Sequence, residues 1–324
     1  MEAADINSSP RVSVIVPAYM TSHLIVGALD SVMEQTFRDF EILVVNDGSP
    51  DTTELEKVLA PYSERVVYIK QENKRAAGAR NTAIRKAKAE FLAFLDSDDT
   101  WLPDHLASQM TLFEQDPALE LVYSDGLLVA PEWSRNFMDV CPSHGHPSFE
   151  ALVVERCQIP VSTVVARKRA LVRAGLFDES LARCDDYDMW LRTAFWGAKI
   201  GYSKNMGARL SANRPGSLGA SRIKMSEAYW EIMQKALQTL PLNESQRGLV
   251  RQRTAEARAH HLLEVGKNHF HEGRLTEAVE SLSESNTQLP NAKLTLVLLG
   301  LKIAPAATRK LVSFAESIRD GTKS

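Results

Sequence analysis

The chain has little of what would let covalent or metal staples hold it together. Its three cysteines, Cys141, Cys157 and Cys184, are an odd number with no CxxC spacing. That argues against a disulfide framework or a zinc site, and for reduced thiols in a cytoplasmic setting. Long hydrophobic runs are missing too: the longest, LTLVLLGL at 294–301, falls far short of the ~20 residues that a spanning helix needs. The opening MEAADINSSPRVSV has neither the basic n-region nor the apolar h-region of a secretion signal. Basic charge is not in excess, with 38 Lys and Arg against 41 Asp and Glu, so no nucleic-acid partner is expected. No strand-like segment is followed by GxGxxG or GxxxxGK[ST], which excludes the glycine-rich phosphate cradles.

What is present is a soluble globular composition, 44% hydrophobic and 24% charged over 324 residues, enough for one large domain or two ordinary ones. VSVIVPAY (12–19), FEILVVND (40–47), RVVYIK (65–70) and FLAFLD (91–96) read as strands without a polar side. Helical segments separate them: TSHLIVGALDSVMEQTF, with Thr21 or Ser22 as the N-cap, then TTELEKVLAPY and the basic GARNTAIRKAKAE (78–90). Buried strands alternating with helices predict a parallel sheet covered on both faces. HLASQMTLFEQ (105–115) reads as a helix and LVYSD as a short strand, and PVSTVVARKRALVRAGLFDES as a strand then a helix. Residues 130–147 show no periodicity and are expected to be a mobile loop near a site.

From about 226 the pattern changes to long helices, which sets the expected domains at 1–225 and 226–324. Within the second, GKNHFHEGRLTEAVESLSESNTQLP (266–290) matches a tetratricopeptide spacing at Gly266, Ala278, Leu282, Ser285 and Pro290. A single copy cannot form a solenoid, so the reading is a helical hairpin (about 255–290). The tail, 292–324, carries an apolar stripe with Lys302, Arg309, Lys310 and Arg319 around it. Peripheral membrane contact and docking on the protein itself are both open, as is homo-oligomer formation.

Open α/β sheets bind ligands beyond the carboxyl ends of their strands. Pro17-Ala18-Tyr19, Asn46-Asp47-Gly48-Ser49 and Asp96-Ser97-Asp98-Asp99 fall at such ends. Acids placed where a phosphate should bind need an intermediary, and a hard divalent cation, Mg²⁺ or Mn²⁺, supplies it. Four stretches in order, VSVIVPAY, SVMEQTFRDFEILVVNDGSPDTT, QENKRAAGARNTAIRKAKAEFLAFLDSDDTWLP and GLFDESLARCDDYDMWLR, together resemble the inverting family 2 glycosyltransferases over about residues 11 to 220. The resemblance implies a GT-A fold, a Rossmann-like and mainly parallel sheet with helices on both faces, joined here to an α-helical C-terminal region. It also implies a nucleotide-diphosphate sugar donor and a divalent cation.

Carried over by position, Asp96-Ser97-Asp98 resembles the DxD motif, with Asp96 facing the ribose and Asp98 on the metal. Pro17, Ala18 and Tyr19 match the segment lining the base, and Asp47 the carboxylate that accepts a hydrogen bond from it. A carboxylate there suits uracil, thymine or guanine, which carry a ring N–H, so UDP is expected first, then dTDP and GDP. Arg80 matches an arginine within reach of the nucleotide. Asp185-Asp186 resembles the ED motif, which makes Asp186 the general base, with Asp188 its rival. Standing alone, Asp98, Asp99 and Thr100 would read as a helix cap, Asp47-Gly48 as a turn and Arg80 as a solvated charge.

The chain departs from the family at Arg75 and Ala83, where glycine is usual or frequent, and a positive φ at Arg75 would strain that loop. RLSANRPGSLG (209–219) resembles the post-catalytic segment without its histidine. Ser211, Asn213 or Arg214 stands in its place, so no third metal ligand is assigned. His144 and His146 are expected in solvent, and the adjacent His260 and His261 point to different helix faces. The acceptor is unread: a saccharide in surface polysaccharide, a lipid-linked intermediate and a protein are all open. The expected location is cytoplasmic or peripheral to the inner membrane face. A rival of another class is a catalytically silent nucleotide-sugar scaffold whose helices recruit a partner.

Overall fold

The computed structural model describes residues 9–141, 143, 147–212, 221–308 and 310. They belong to two compact units, Met1–Ser217 and Leu218–Ser324. The first runs β1 (Val12–Ala18), α1 (Ile25–Met33), β2 (Phe40–Asp47), α2 (Thr52–Leu59), β3 (Val66–Gln71), α3 (Arg75–Lys86) and β4 (Phe91–Phe94). There follow β5 (Thr100–Trp101), α4 (His105–Gln115), β6 (Leu119–Ala130), β7 (Trp133–Asn136), α5 (Phe137–Val140) and α6 (Phe149–Val153). The unit ends with β8 (Val165–Arg167), α7 (Lys168–Arg173), α8 (Asp185–Phe195) and β9 (Lys199–Ser211).

The strands form one sheet in the order β3-β2-β1-β4-β8-β6-β9-β5, with β7 paired to β6. β1 is its spine. Val12, Val14, Ile15 and Val16 are fully buried, as a strand covered on both faces requires. β2 and β4 flank it in parallel, Val12 aligning with both Phe40 and Phe91. The chain therefore builds β2 and β3 to one side of β1 and then crosses to β4 on the other. That reversal creates the crevice where open sheets hold ligands. Beyond β4 the sheet is mixed: β8 is antiparallel to β4 and to β6, β9 is parallel to β6, and β5 is antiparallel to β9.

Three local expectations change. No side chain caps α1, which starts at Ile25 after Leu24, so neither Thr21 nor Ser22 is its N-cap. Thr21 and Ser22 lie in the turn before it, where the Thr21 carbonyl accepts from the Leu24 and Ile25 N–H groups and the Ser22 N–H donates to Asp51 Oδ2 (2.9 Å). The stretch from 130 is not a plain loop, because β7 pairs antiparallel with β6 and α5 follows directly; His144 and His146 lie outside the described residues. The acids after β4 do not cap a helix. β5 comes next, and α4 begins only at His105 after Asp104.

The second unit comprises α9 (Arg222–Thr239), α10 (Glu244–His271), α11 (Leu275–Gln288) and α12 (Ala292–Ile303). Asn243 and Gln246 close a capping box at the start of α10, which satisfies two N–H groups the first turn would otherwise leave bare. Gly266 and Leu282, and Ala259 and Ser285, meet where α10 packs on α11. Gly266 lets Leu282 approach so closely that an added Cβ would lie 2.6 Å from its Cγ. Ala278 and Ser285 are buried, and the Ser285 hydroxyl donates to the Ala259 carbonyl (2.8 Å). Among the described residues, no helix is long and apolar enough to cross a membrane.

Candidate active site

The carboxyl ends of β2, β1 and β4 deliver Asp47, Ala18 and Asp96 to one edge of the sheet. Pro17 is half-buried, Ala18 buried, and Tyr19 stands 46% exposed just beyond. The β1 and β2 loops are tied together: the Met20 N–H donates to Ser49 Oγ (2.6 Å), and Ser49 Oγ donates to Asp51. Gly48, at φ +64, turns the chain where a Cβ would meet the Asn73 nitrogen at 2.8 Å. Asp47 is buried, and its Oδ1 accepts from Gln71 Nε2 (2.6 Å) and the Lys74 N–H (2.8 Å). Arg75, the next residue, has a φ of +61. The glycine-to-arginine departure thus falls on a left-handed position, and the strain expected of it is present.

Arg80 is the centre of the site. It is 4% exposed, so it is no solvated surface charge. Its Nη2 donates to Asp96 Oδ1 (2.6 Å) and its Nη1 to Asp185 Oδ2 (2.7 Å). The guanidinium also lies over the Phe177 ring, 5.5 Å from its centroid. Burial works against its charge, but Asp96, Asp185 and Asp186 outweigh burial and hold its pKa above the ordinary arginine range. One side chain therefore joins the acids after β4 to the acids that open α8.

Packing fixes the same junction. Phe94, Phe177 and Trp190 meet edge to face with centroids 5.6–6.0 Å apart, a geometry aromatic rings favour. Phe94 ends β4 and Trp190 belongs to α8, so this cluster sets the helix against the strand. Asn81 secures the segment between them, exchanging hydrogen bonds with both backbone groups of Phe177 (2.8 and 3.0 Å).

The acids have distinct environments. Asp96 is half-buried, Ser97 buried and Asp98 half-buried. Asp99 is buried and accepts from Ser162 Oγ (2.5 Å) and from the Ser211 N–H (2.7 Å). Burial, then repulsion from Asp96 and Asp98, pushes its pKa well above the carboxylate range. Ser162 also accepts from the Asp96 N–H (3.1 Å) and takes the Trp101 indole N–H on its carbonyl (2.6 Å). Asp99 and Ser162 thus hold the end of β9 against the DxD turn, a role that spacing alone does not disclose. Asn213 and Arg214 lie outside the described residues.

At the start of α8, burial and then the charge of Asp185 push Asp186 up to about 6, against the opposing pull of Arg80 and the Tyr187 N–H. The group still retains part of its surface in solvent, and at neutral pH it remains mostly ionised while being a stronger base than an ordinary aspartate. Asp188 is engaged elsewhere: Arg192 donates to its Oδ2 through Nε (2.9 Å) and Nη2 (2.6 Å).

Could a divalent cation sit here? No group of three or more His, Cys, Asp or Glu arranged to hold a metal occurs among the described residues. Mg²⁺ and Mn²⁺ do not require one, since a site with one or two carboxylates leaves room for substrate phosphates and water. Asp98, beside a half-buried Asp96, fits that description, and the repulsion felt by Asp99 shows acids crowded enough to favour positive charge. A 510 Å³ cavity lined by Arg11, Lys88, Glu90, Phe91 and Arg167 lies at the amino ends of β1 and β4, away from these acids, and takes no part.

Known proteins resemble this chain in sequence and fold. The glycosyl transferase family 2 model matches residues 13–127. The UDP-Glc:alpha-D-GlcNAc-diphosphoundecaprenol beta-1,3-glucosyltransferase WfgD of Escherichia coli is 43% identical over 102 residues, 31% of this chain and 40% of its own. The chain spans 58% of the length of the first curated relatives it matches. Among solved structures, S. aureus TarS 1–349 in complex with UDP-GlcNAc superposes with a TM-score of 0.64 at 20% identity, over 96% of this chain and 92% of that one. The mannosyltransferase PcManGT from Pyrobaculum calidifontis in complex with GDP-Man and Mn²⁺ does so with a TM-score of 0.60 at 20% identity, over 96% and 85%. These likenesses show a GT-A fold followed by helices. The matched segment runs from β1 into β6 and includes both the Asp47 and Asp96–Asp98 turns, so residues 13–127 carry the glycosyl transferase family 2 likeness of this chain.

Proposed function

We propose that the chain is a metal-dependent inverting glycosyltransferase that moves a sugar from a nucleotide-diphosphate donor to an acceptor hydroxyl. The carrying observation is the Arg80 bridge between Asp96 and Asp185. It puts a DxD turn and a candidate base side by side, as a displacement with activation on the opposite face requires.

Pro17, Ala18 and Tyr19 line the base, and Asp47 accepts its ring N–H. Gln71 and Lys74 share one oxygen of Asp47 and so orient the carboxylate. Uracil and guanine both carry such a ring N–H, in keeping with the UDP-GlcNAc and GDP-Man held by the two structural neighbours. A UDP-sugar is the first expectation. Asp96 and Ser97 face the ribose side, with Arg80 holding Asp96 in place. Asp98 would hold Mg²⁺ or Mn²⁺, which when bound would supply positive charge to a departing diphosphate. Asp186 takes the acceptor proton, and a single in-line attack inverts the anomeric centre. The diphosphoundecaprenol acceptor in the WfgD name favours a lipid-linked acceptor in surface polysaccharide synthesis at the cytoplasmic membrane face.

Thermal unfolding with UDP-, dTDP- and GDP-sugars, each with and without Mn²⁺, tests the reading. A UDP-sugar with metal should raise the midpoint most, by the equivalent of about 2.7 kcal/mol at a hundred times its Kd. Stabilisation by none of the donors, or by all regardless of metal, would overturn it.

A further inference from the structure

Helix α12 is apolar on two opposite sides, and only one of them is packed. Leu298 and Leu301 are buried, Leu301 joining Phe270 and Ala278 in a small core. Leu296, Leu299 and Ile303 are 69%, 51% and 82% exposed. At 3.6 residues per turn, these three share the face opposite Leu298 and Leu301. Lys293 and Lys302, both exposed, fall about a quarter turn to either side of that stripe. The sequence has no Asp or Glu between Glu284 and Glu316, while Lys293, Lys302, Arg309 and Lys310 lie within that interval.

We propose that this face of α12 docks on an anionic lipid surface. An apolar stripe flanked by lysines suits the boundary between acyl chains and headgroups. The leucines and isoleucine enter the apolar layer, and the lysine stems reach back to the phosphates. Charge selects this occupant over a second copy of the chain. A two-fold contact along the stripe would set lysines against lysines, with no acid on the helix to pair them. The proposal is independent of the glycosyltransferase reading, because it uses no residue of the acidic site.

The test is sedimentation of the full chain with phosphatidylcholine vesicles and with vesicles that also contain phosphatidylglycerol. Binding should require the anionic lipid and weaken with salt. Leu296→Asp with Ile303→Asp should lower partitioning at least ~10-fold, since each apolar side chain buried is worth about that factor. Lys293→Glu with Lys302→Glu should abolish the preference for anionic lipid. All four positions are exposed, so the variants should unfold at the wild-type midpoint and keep any stabilisation by nucleotide sugar. Absence of binding to anionic vesicles would overturn the proposal. So would a concentration-dependent dimer that Leu296→Asp with Ile303→Asp dissolves, which would assign the face to a second copy instead.

Discussion

The two units bury different chemistry. Among the described residues, every buried ionisable side chain, including Asp47, Arg80, Asp99, His105, Asp185 and Asp188, lies before Ser217. After Leu218 the buried residues are alanines, leucines and a few larger apolar groups, with Ser285 as the buried polar one. Burying charge is costly unless each charge is paired and hydrogen-bonded. The first unit meets that condition through Arg80, which compensates acids from two separate elements. Among its described residues the second unit has no buried charge to compensate, and small residues fit against large ones there, as Gly266 does against Leu282. Changes in the acid cluster should therefore act on chemistry or on charge balance, and changes in the packed seams of the helical unit on stability.

The largest expected effect breaks this contrast if it fails. Asp186→Asn and Asp98→Ala should each reduce turnover of a UDP-sugar by about 10²–10⁴-fold, the usual range for losing a general base or its equivalent, with little change in the unfolding midpoint. Turnover indifferent to both would favour the silent scaffold. In the wild type, activity should rise with pH through about 6, where Asp186 ionises. Stability should move the other way. A folded pKa raised from 3.8 means that the native state holds this proton more tightly than the unfolded chain. That contribution is full below the unfolded pKa and is lost as pH rises through about 6. A pH–rate profile beside a pH–stability profile would show the two trends crossing.

Arg80 comes next. Arg80→Met leaves Asp185 buried without its partner, and losses of this kind cost about 3–5 kcal/mol. Asp96 has a side chain 32% exposed and can recover some solvation, so the lower end, about 3 kcal/mol, is expected in denaturant unfolding. The activity limb should also move above 6, because Arg80 is the charge that lowers Asp186. Arg80→Lys keeps the charge but has no planar fork to reach two acids at once, and should recover only part of either property.

The sequence disclosed some of this and not the rest, for physical reasons. β1, β2 and β4 are legible because each is a run with no solvent side, and the helix between His105 and Gln115 has a clean period. β9 is not, because KIGYSKNMGARLS mixes polar residues and glycines, and its register against β6 shifts at bulges. β7 reads as loop in the sequence because residues 130–147 show no periodicity, and only pairing to β6 makes Trp133–Asn136 a strand. In the site, Asp96, Asp98 and Asp186 could be singled out from motifs. The Arg80 bridge reaches 16 residues along the chain to Asp96 and 105 to Asp185. The Asp99–Ser162–Ser211 link is also long-range, and no local pattern carries either.

The helical unit supplies the converse test. Gly266→Val would place a Cβ 2.6 Å from Leu282 Cγ and 3.2 Å from the Leu282 nitrogen. The side chain can yield and the backbone cannot, so overpacking of about 2 kcal/mol is expected, within the ~1–3 kcal/mol usual for such insertions. Stabilisation by a UDP-sugar with Mn²⁺ should persist below the lowered midpoint. Loss of that response in the folded variant would mean that the division between the units is not as clean as their buried residues suggest.

The smallest effect is the most specific. Arg75 is exposed and holds φ at +61, a conformation that costs a residue with a Cβ roughly 1–2 kcal/mol. Arg75→Gly removes that strain but adds freedom to the unfolded chain, which takes back about 0.4–1 kcal/mol. The net expectation is a gain of about 0.5–1 kcal/mol. Arg75→Ala is the control, since alanine loses the same charge and keeps the strained φ, so it should show no gain. If glycine and alanine prove equally stable, the backbone there is not strained. The turn at Arg75 would then be held by local hydrogen bonding, with nothing stored in its backbone.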